Sequence, residues 1–238
     1  MKSIKDLNIQ IFADGADKNA MLEMHKKTYI KGLTTNPTLM RKAGILDYRD
    51  FCKDILTFID DKPISFEVFS DDFHEMERQA IEISSWGNNV YVKIPITNTK
   101  QQYCYESVRR LANKGVKLNV TALMTLDQVE GVVEVLNYDI PSYVSIFAGR
   151  IADTGVDPLP IMSRAVELLK INPRSELIWA SPRELLNIMQ ADQIGCQVIT
   201  VTKEIINKLE LIGYDLKEYS LDTVKMFHND AVIAGYKL

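Results

Sequence analysis

Three charged residues stand in places where charge is costly. Lys93 lies between Tyr91-Val92 and Ile94-Pro95-Ile96, Glu67 interrupts the run Ile64 to Phe69, and Asp14 ends Ile11-Phe12-Ala13. Each sits in a short apolar stretch of the kind that forms a buried strand. Burial disfavours an ammonium and so favours the neutral amine, the nucleophile that attacks a ketone to form an imine. The other reading of Lys93 is a lysine that snorkels to the surface or pairs with a carboxylate. Asp14 and Glu67 likewise read as acid/base groups or as buried ion-pair partners. One lysine and two carboxylates on three strands of one barrel favour catalysis.

A second set of polar residues falls at or just after the ends of apolar runs: Thr34 and Asn36 before Pro37, Asn119 and Thr121, Ser145 with Arg150, and Ser181 with Arg183. Proline can open a helix after Thr34-Thr35-Asn36, with the small polar groups facing a barrel mouth; an ordinary strand-to-helix turn explains the same residues. An arginine fork beside a hydroxyl and a helix N-terminus suits a phosphate dianion, whereas the alternative is a solvated arginine. No phosphate loop of the Walker type, no GxSxG elbow and no GxGxxG after a strand occurs, so nucleotide-driven and serine-hydrolase chemistry recede.

The elements that must position these residues are legible as eight short β-rich runs separated by helical spacing: Ile9 to Asp14, Ile30 to Asn36, Ile64 to Phe69, Val90 to Ile96, Val116 to Leu123, Tyr143 to Arg150, Glu176 to Ser181 and Gln197 to Thr202. Strands alternating with crossover helices make a parallel sheet, and eight of each select a closed (β/α)8 barrel. Helical spacing shows in Phe73, Met76, Ala80 and Ile83, and in Ile161, Ala165, Leu168 and Leu169. Gly115 and Gly195 stand where helices end in a left-handed residue. Asp47, Asp71 or Asp72, Thr125 and Ser181 can cap helix starts. In a barrel of this kind, side chains at the C-terminal strand ends face the substrate.

The 238 residues match the ~250 typical of one such barrel, and residues 1–238 read as a single domain with 214–238 as a C-terminal extension. That tail, with a helix-like piece around Leu221 to Phe227, should cover the barrel or dock on a neighbour. Apolar residues make up 46% and charged residues 25% of the chain, as in a folded soluble protein. A net charge of -4 argues against nucleic-acid binding, which needs a basic face. Met1-Lys2-Ser3-Ile4-Lys5-Asp6 lacks the apolar core of a signal peptide, no run is long enough to span a membrane, and Cys52, Cys104 and Cys196 form no CxxC pair. A cytoplasmic protein with packed, reduced thiols is expected. His25, His74 and His228 have no metal-ligand spacing, and no metal is expected.

Four segments, GLTTNP at Gly32 to Pro37, VYVKIPIT at Val90 to Thr97, LNVTAL at Leu118 to Leu123 and SIFAGRIAD at Ser145 to Asp153, together resemble the transaldolase family, including its short fructose-6-phosphate aldolase-like branch. The resemblance covers nearly the whole barrel in the family's order. It implies that Lys93 forms an imine with a ketose phosphate and that Asp14 moves the hydroxyl proton during carbon–carbon cleavage. Glu67 and Thr121 look like the pair that holds water for imine formation and hydrolysis. Asn36 and Asn119 resemble the amides that hold the dihydroxyacetone unit, with Ser145 and Thr34 nearby, and Arg150, Ser181 and Arg183 look like the phosphate grip. Glu67 and Phe147 match the transaldolase pattern, where the aldolase-like branch tends to carry glutamine and tyrosine. The departures are the short length and Pro182, which bear on the size of the acceptor.

The implied reaction passes a dihydroxyacetone unit from a fructose 6-phosphate-like donor to an erythrose 4-phosphate-like aldose, as in the pentose phosphate pathway, with no cofactor. The alternatives are an aldolase that releases free dihydroxyacetone and a catalytically silent sugar-phosphate-binding barrel. The implied partners are small sugar phosphates, with no nucleic acid or membrane; a homo-oligomer is left open.

Overall fold

Runs rich in β-branched and aromatic residues become eight parallel strands: β1 (Gln10–Asp14), β2 (Ile30–Thr34), β3 (Ile64–Glu67), β4 (Val90–Pro95), β5 (Leu118–Leu123), β6 (Ser142–Ile146), β7 (Ser175–Trp179) and β8 (Val198–Val201). They pair in chain order, and β8 pairs with β1 to close the barrel. This computed structural model describes residues 4–238; Met1, Lys2 and Ser3, part of the stretch read above for a leader, lie outside the described residues. The helices are α1 (Lys18–His25), α2 (Pro37–Lys42), α3 (Tyr48–Leu56), α4 (Phe73–Ser84), α5 (Tyr105–Asn113), α6 (Leu126–Val133), α7 (Ala148–Asp153), α8 (Leu159–Leu169), α9 (Leu186–Gln193), α10 (Lys203–Ile206) and α11 (Leu216–Ala234). The (β/α)8 class expected from the sequence is the fold observed.

The apolar faces of the helices pack on the outside of the strands. In α4 the stripe is Met76, Ala80 and Ile83, and in α8 it is Met162, Ala165, Val166 and Leu169. Inside the barrel, Phe12, Tyr143, Ile178, Ala180 and Val198 form a separate apolar cluster, with Tyr91 and Phe147 against it. The Tyr91 and Tyr143 rings lie 4.4 Å apart, and Phe12 meets Tyr143 edge to face at 5.5 Å. Side chains two apart on a strand share a face. The strands therefore carry an aromatic plug at Phe12, Tyr91 and Tyr143, and one step toward the C-terminal mouth the polar residues Asp14, Lys93 and Ser145. Gly32 completes the plug, since a Cβ there would lie 2.6 Å from the Phe12 ring.

Boundaries differ from the sequence reading where the chain leaves the barrel. The sixth run was expected to stay extended to Arg150, but β6 stops at Ile146 and α7 begins at Ala148. The turn is possible because Gly149 has no side chain: a Cβ would fall 1.5 Å from the Ser181 carbonyl oxygen. The second run ends at Thr34, because Asn36 caps α2 and Pro37 starts it. Of the expected caps, Asp47, Asp72 and Thr125 accept from the first turns of α3, α4 and α6, the last as a reciprocal capping box with Gln128. Asp71 instead accepts from Thr99. Ser181 does not cap; it holds a left-handed backbone (φ 60°), and Asn187 accepts from the Arg183 and Glu184 amides. Gly115 and Gly195 close α5 and α9 at φ 82° and 77°, in the left-handed conformation the sequence requires.

α11 buries none of its residues. Leu216, Val224, Phe227, Leu221, Val232, Tyr219, Met226 and Ile233 are all exposed, and at 100° per residue they spread over most of its circumference. The tail thus does not cover its own barrel, the first of the two expectations.

Candidate active site

A cavity of about 560 Å³ opens at the C-terminal ends of the strands. All twelve residues singled out in the sequence line it: Asp14, Thr34, Asn36, Glu67, Lys93, Asn119, Thr121, Ser145, Phe147, Arg150, Ser181 and Arg183. They come from β1 to β6 and from the loops and short helix that follow β2, β6 and β7.

The strand register explains the deepest part. Glu67 on β3 pairs with Lys93 on β4, which pairs with Asn119 on β5, so the three side chains stand in one inward row. Lys93 is 6% exposed; its Nζ lies 3.2 Å from Glu67 Oε2 and donates to the Thr35 carbonyl at 2.9 Å. Of the two readings of Lys93, the geometry displays the ion pair: the lysine is buried and its partner is Glu67.

Asp14 on β1 faces the same cavity. Thr34 Oγ1 donates to its Oδ1 at 2.8 Å, and Thr200 Oγ1 lies 2.5 Å from Thr34 Oγ1. Burial pushes the Asp14 carboxyl above the ordinary aspartate value; the Lys93 charge and then the Thr34 hydroxyl pull it back down. Asn119, fully buried, donates through Nδ2 to Ser65 Oγ at 3.1 Å and accepts from Ser145 Oγ at 2.7 Å. Both bonds fix which way its amide faces. The Thr121 hydroxyl is buried and has no hydrogen-bond partner within the described residues. It stands where β5 leaves register with β6, beside Ala122 in a left-handed conformation (φ 65°), a bulge of the kind that re-aims side chains.

The rim carries the basic groups. The Arg150 guanidinium lies over the Phe147 ring at 5.7 Å. Arg183 Nε donates to Asp153 Oδ1 at 2.8 Å and its second nitrogen to Asp153 Oδ2, so this arginine is already engaged by α7. Asn36 Oδ1 accepts from the Leu39 amide at 3.0 Å as a helix cap, which leaves its NH2 group for the cavity.

Several lining or supporting residues were missed in the sequence. Ser65 orients Asn119, Thr200 joins the Asp14–Thr34 pair, and Lys42 and Thr202 add to the rim. Thr200 and Ser65 interrupt apolar strands in the same way as Thr34, and that was the available signal. Lys42 ends a short helix and carried none.

The chain matches the family model described as Transaldolase/Fructose-6-phosphate aldolase over residues 11–235. A protein of Sulfurihydrogenibium sp. (strain YO3AOP1) described as "Probable transaldolase" is 34% identical over 206 residues, 84% of this chain and 88% of that protein. Another of the same description, from Thermoanaerobacter sp. (strain X514), is 31% identical over 231 residues, 97% of this chain and 100% of its own. Among solved structures, "QR15, an Aldolase" is similar in fold with a TM-score of 0.53 at 14% identity, covering 86% of this chain and 96% of that one. A match of this extent, over a barrel whose mouth gathers these side chains, makes the chain a member of the transaldolase/fructose-6-phosphate aldolase family.

Proposed function

We propose that the chain is a transaldolase that works through a Schiff base on Lys93 and moves a dihydroxyacetone unit between sugar phosphates. The observation that carries the reading is Lys93, buried at the mouth with Glu67 at 3.2 Å and with Asp14 lining the same cavity. The Lys93 amine, its proton passed to Glu67, adds to the C2 carbonyl of a ketose phosphate, and loss of water gives the iminium. Asp14 takes the C4 hydroxyl proton; the C3–C4 bond breaks, its electron pair enters the iminium, and an aldose phosphate leaves. The enamine adds to the carbonyl of a second aldose phosphate, and Asp14 returns its proton to the new alkoxide. Water held between Glu67 and the unpartnered Thr121 hydroxyl then hydrolyses the iminium and frees the product.

Asn119, locked by Ser65 and Ser145, and the free NH2 of Asn36 are suited to the hydroxyls of the three-carbon unit. Arg150, Arg183 and Ser181 are suited to the phosphate. The three free, buried thiols are in keeping with a cytosolic setting. Residues 1–238 form one domain in this reading, with 214–238 as its extension. A helix with apolar residues around most of its circumference and none of them buried is in keeping with a second copy of the chain as its cover, and so with a homo-oligomer.

Fructose 6-phosphate given with and without erythrose 4-phosphate tests the reaction. A transferase yields a seven-carbon ketose phosphate only when the acceptor is present; release of free dihydroxyacetone without it would assign the chain to the aldolase reaction instead. Lys93→Met should lower turnover at least about a thousandfold, the scale of losing a group that acts as part of a unit.

A further inference from the structure

The end of β3 is held from an unusual side. On this strand, odd-numbered residues turn their backbone groups toward β2 and even-numbered ones toward β4: Leu33 and Thr35 donate to the Pro63 and Ser65 carbonyls, whereas Ile64 and Val68 donate to those of Asn89 and Lys93. Register pairing between β2 and β3 includes only Leu33 with Ile64 and Thr34 with Ser65, because the chain beyond Thr35 turns away to begin α2. Glu67, the next odd-numbered residue, is left with an N–H and a C=O facing where β2 no longer runs. A half-buried pair of backbone groups needs partners.

Tyr48, the first residue of α3, supplies both. Its Oη accepts from the Glu67 N–H at 2.7 Å and donates to the Glu67 carbonyl at 2.8 Å, so one phenol takes the place of a strand residue. The ring packs edge to face against Phe69 at 5.3 Å and at a tilt against Trp86 at 6.3 Å, while Asp47 caps the helix that carries it. Burial pushes the phenol pKa upward, so its single proton stays on the oxygen and the donor role is kept.

We propose that Tyr48 is a positioning residue for Glu67: by clamping the Glu67 backbone it sets the carboxylate against Lys93 and so sets the rate of imine formation and hydrolysis. This rests on the reading of Glu67 and Lys93 given above. Tyr48 does not touch the substrate.

The test compares the full-length unsubstituted protein with Tyr48→Phe, Glu67→Gln and the double variant, in quenched-flow borohydride trapping of the fructose 6-phosphate adduct. Tyr48→Phe keeps the ring packing. It should slow adduct appearance about tenfold, the loss expected for one positioning contact, with KM little changed. In the Glu67→Gln background the same change should add nothing, because both act through one group. Residue-resolved amide exchange should quicken at Glu67 in Tyr48→Phe and stay unchanged at Phe66. A tenfold loss repeated in the Glu67→Gln background, an unchanged trapping rate, or unchanged Glu67 exchange would overturn the role of Tyr48 while leaving the Schiff base standing. No adduct in the unsubstituted protein would overturn both.

Discussion

The cost of burying Lys93 is met by two acceptors, the Glu67 carboxylate and the Thr35 carbonyl. Asp14 shows the opposite balance, since burial outweighs its favourable partners and raises its pKa. If Asp14 acts as the ionised base, activity rises as pH climbs through that raised pKa, so the acid limb should lie above the ordinary aspartate value. Thr34→Val removes a hydrogen bond that favours the carboxylate, and the limb should move further up; a pH–kcat profile that moves down or stays fixed would contradict this. The stability sign follows from the same shift. A raised carboxyl pKa in the folded state means that ionised Asp14 opposes folding once pH exceeds the unfolded value, so Asp14→Asn should raise the melting temperature at neutral pH. The charged residues could be picked out of the sequence because charge inside an apolar run is costly. Ser65 and Thr200 gave a weaker signal of the same kind, because a hydroxyl in a strand has ordinary β propensity; Tyr48 gave none, since a tyrosine opening a helix carries no hint that it serves a strand nineteen residues on.

At the scale of elements, the strands were legible from their apolar runs and the helices from their spacing, but not the points where strands hand over to loops. Those points depend on contacts distant in sequence. β6 ends because the α7 turn packs against the loop after β7, and this contact requires glycine at position 149. Gly149→Ala would set a methyl on the Ser181 carbonyl, and main chain must move to relieve it. The expected cost is about 3 kcal/mol of stability, at the upper end for overpacking, with a raised KM for phosphorylated sugars because Arg150 and Arg183 flank the displaced segments. Chemical denaturation and steady-state kinetics check the two effects separately. The bulge at Ala122 and the left-handed Ser181 lie on the same rim, in keeping with backbone irregularity gathering where side chains must be re-aimed.

For the whole molecule, eight strands in chain order leave no sheet edge, so the barrel needs no partner to satisfy its backbone. α11 is different, because its apolar residues gain nothing from its own barrel. Replacing Val224 and Phe227 together by glutamate should leave the barrel's melting transition within a few degrees yet shift sedimentation toward the monomer; an unchanged assembly state would show that the helix makes no such contact. The tail is visible in the sequence as surplus, but whether it covers the barrel or stands clear of it is a matter of direction and not of composition. Schiff-base chemistry requires a covalent bond between substrate and one lysine among many. Borohydride reduction in the presence of fructose 6-phosphate, followed by peptide mass mapping, tests it most directly. A three-carbon dihydroxyacetone adduct on Lys93, lost in Lys93→Met, is expected; no adduct, or one carried by another lysine, would overturn the Schiff base.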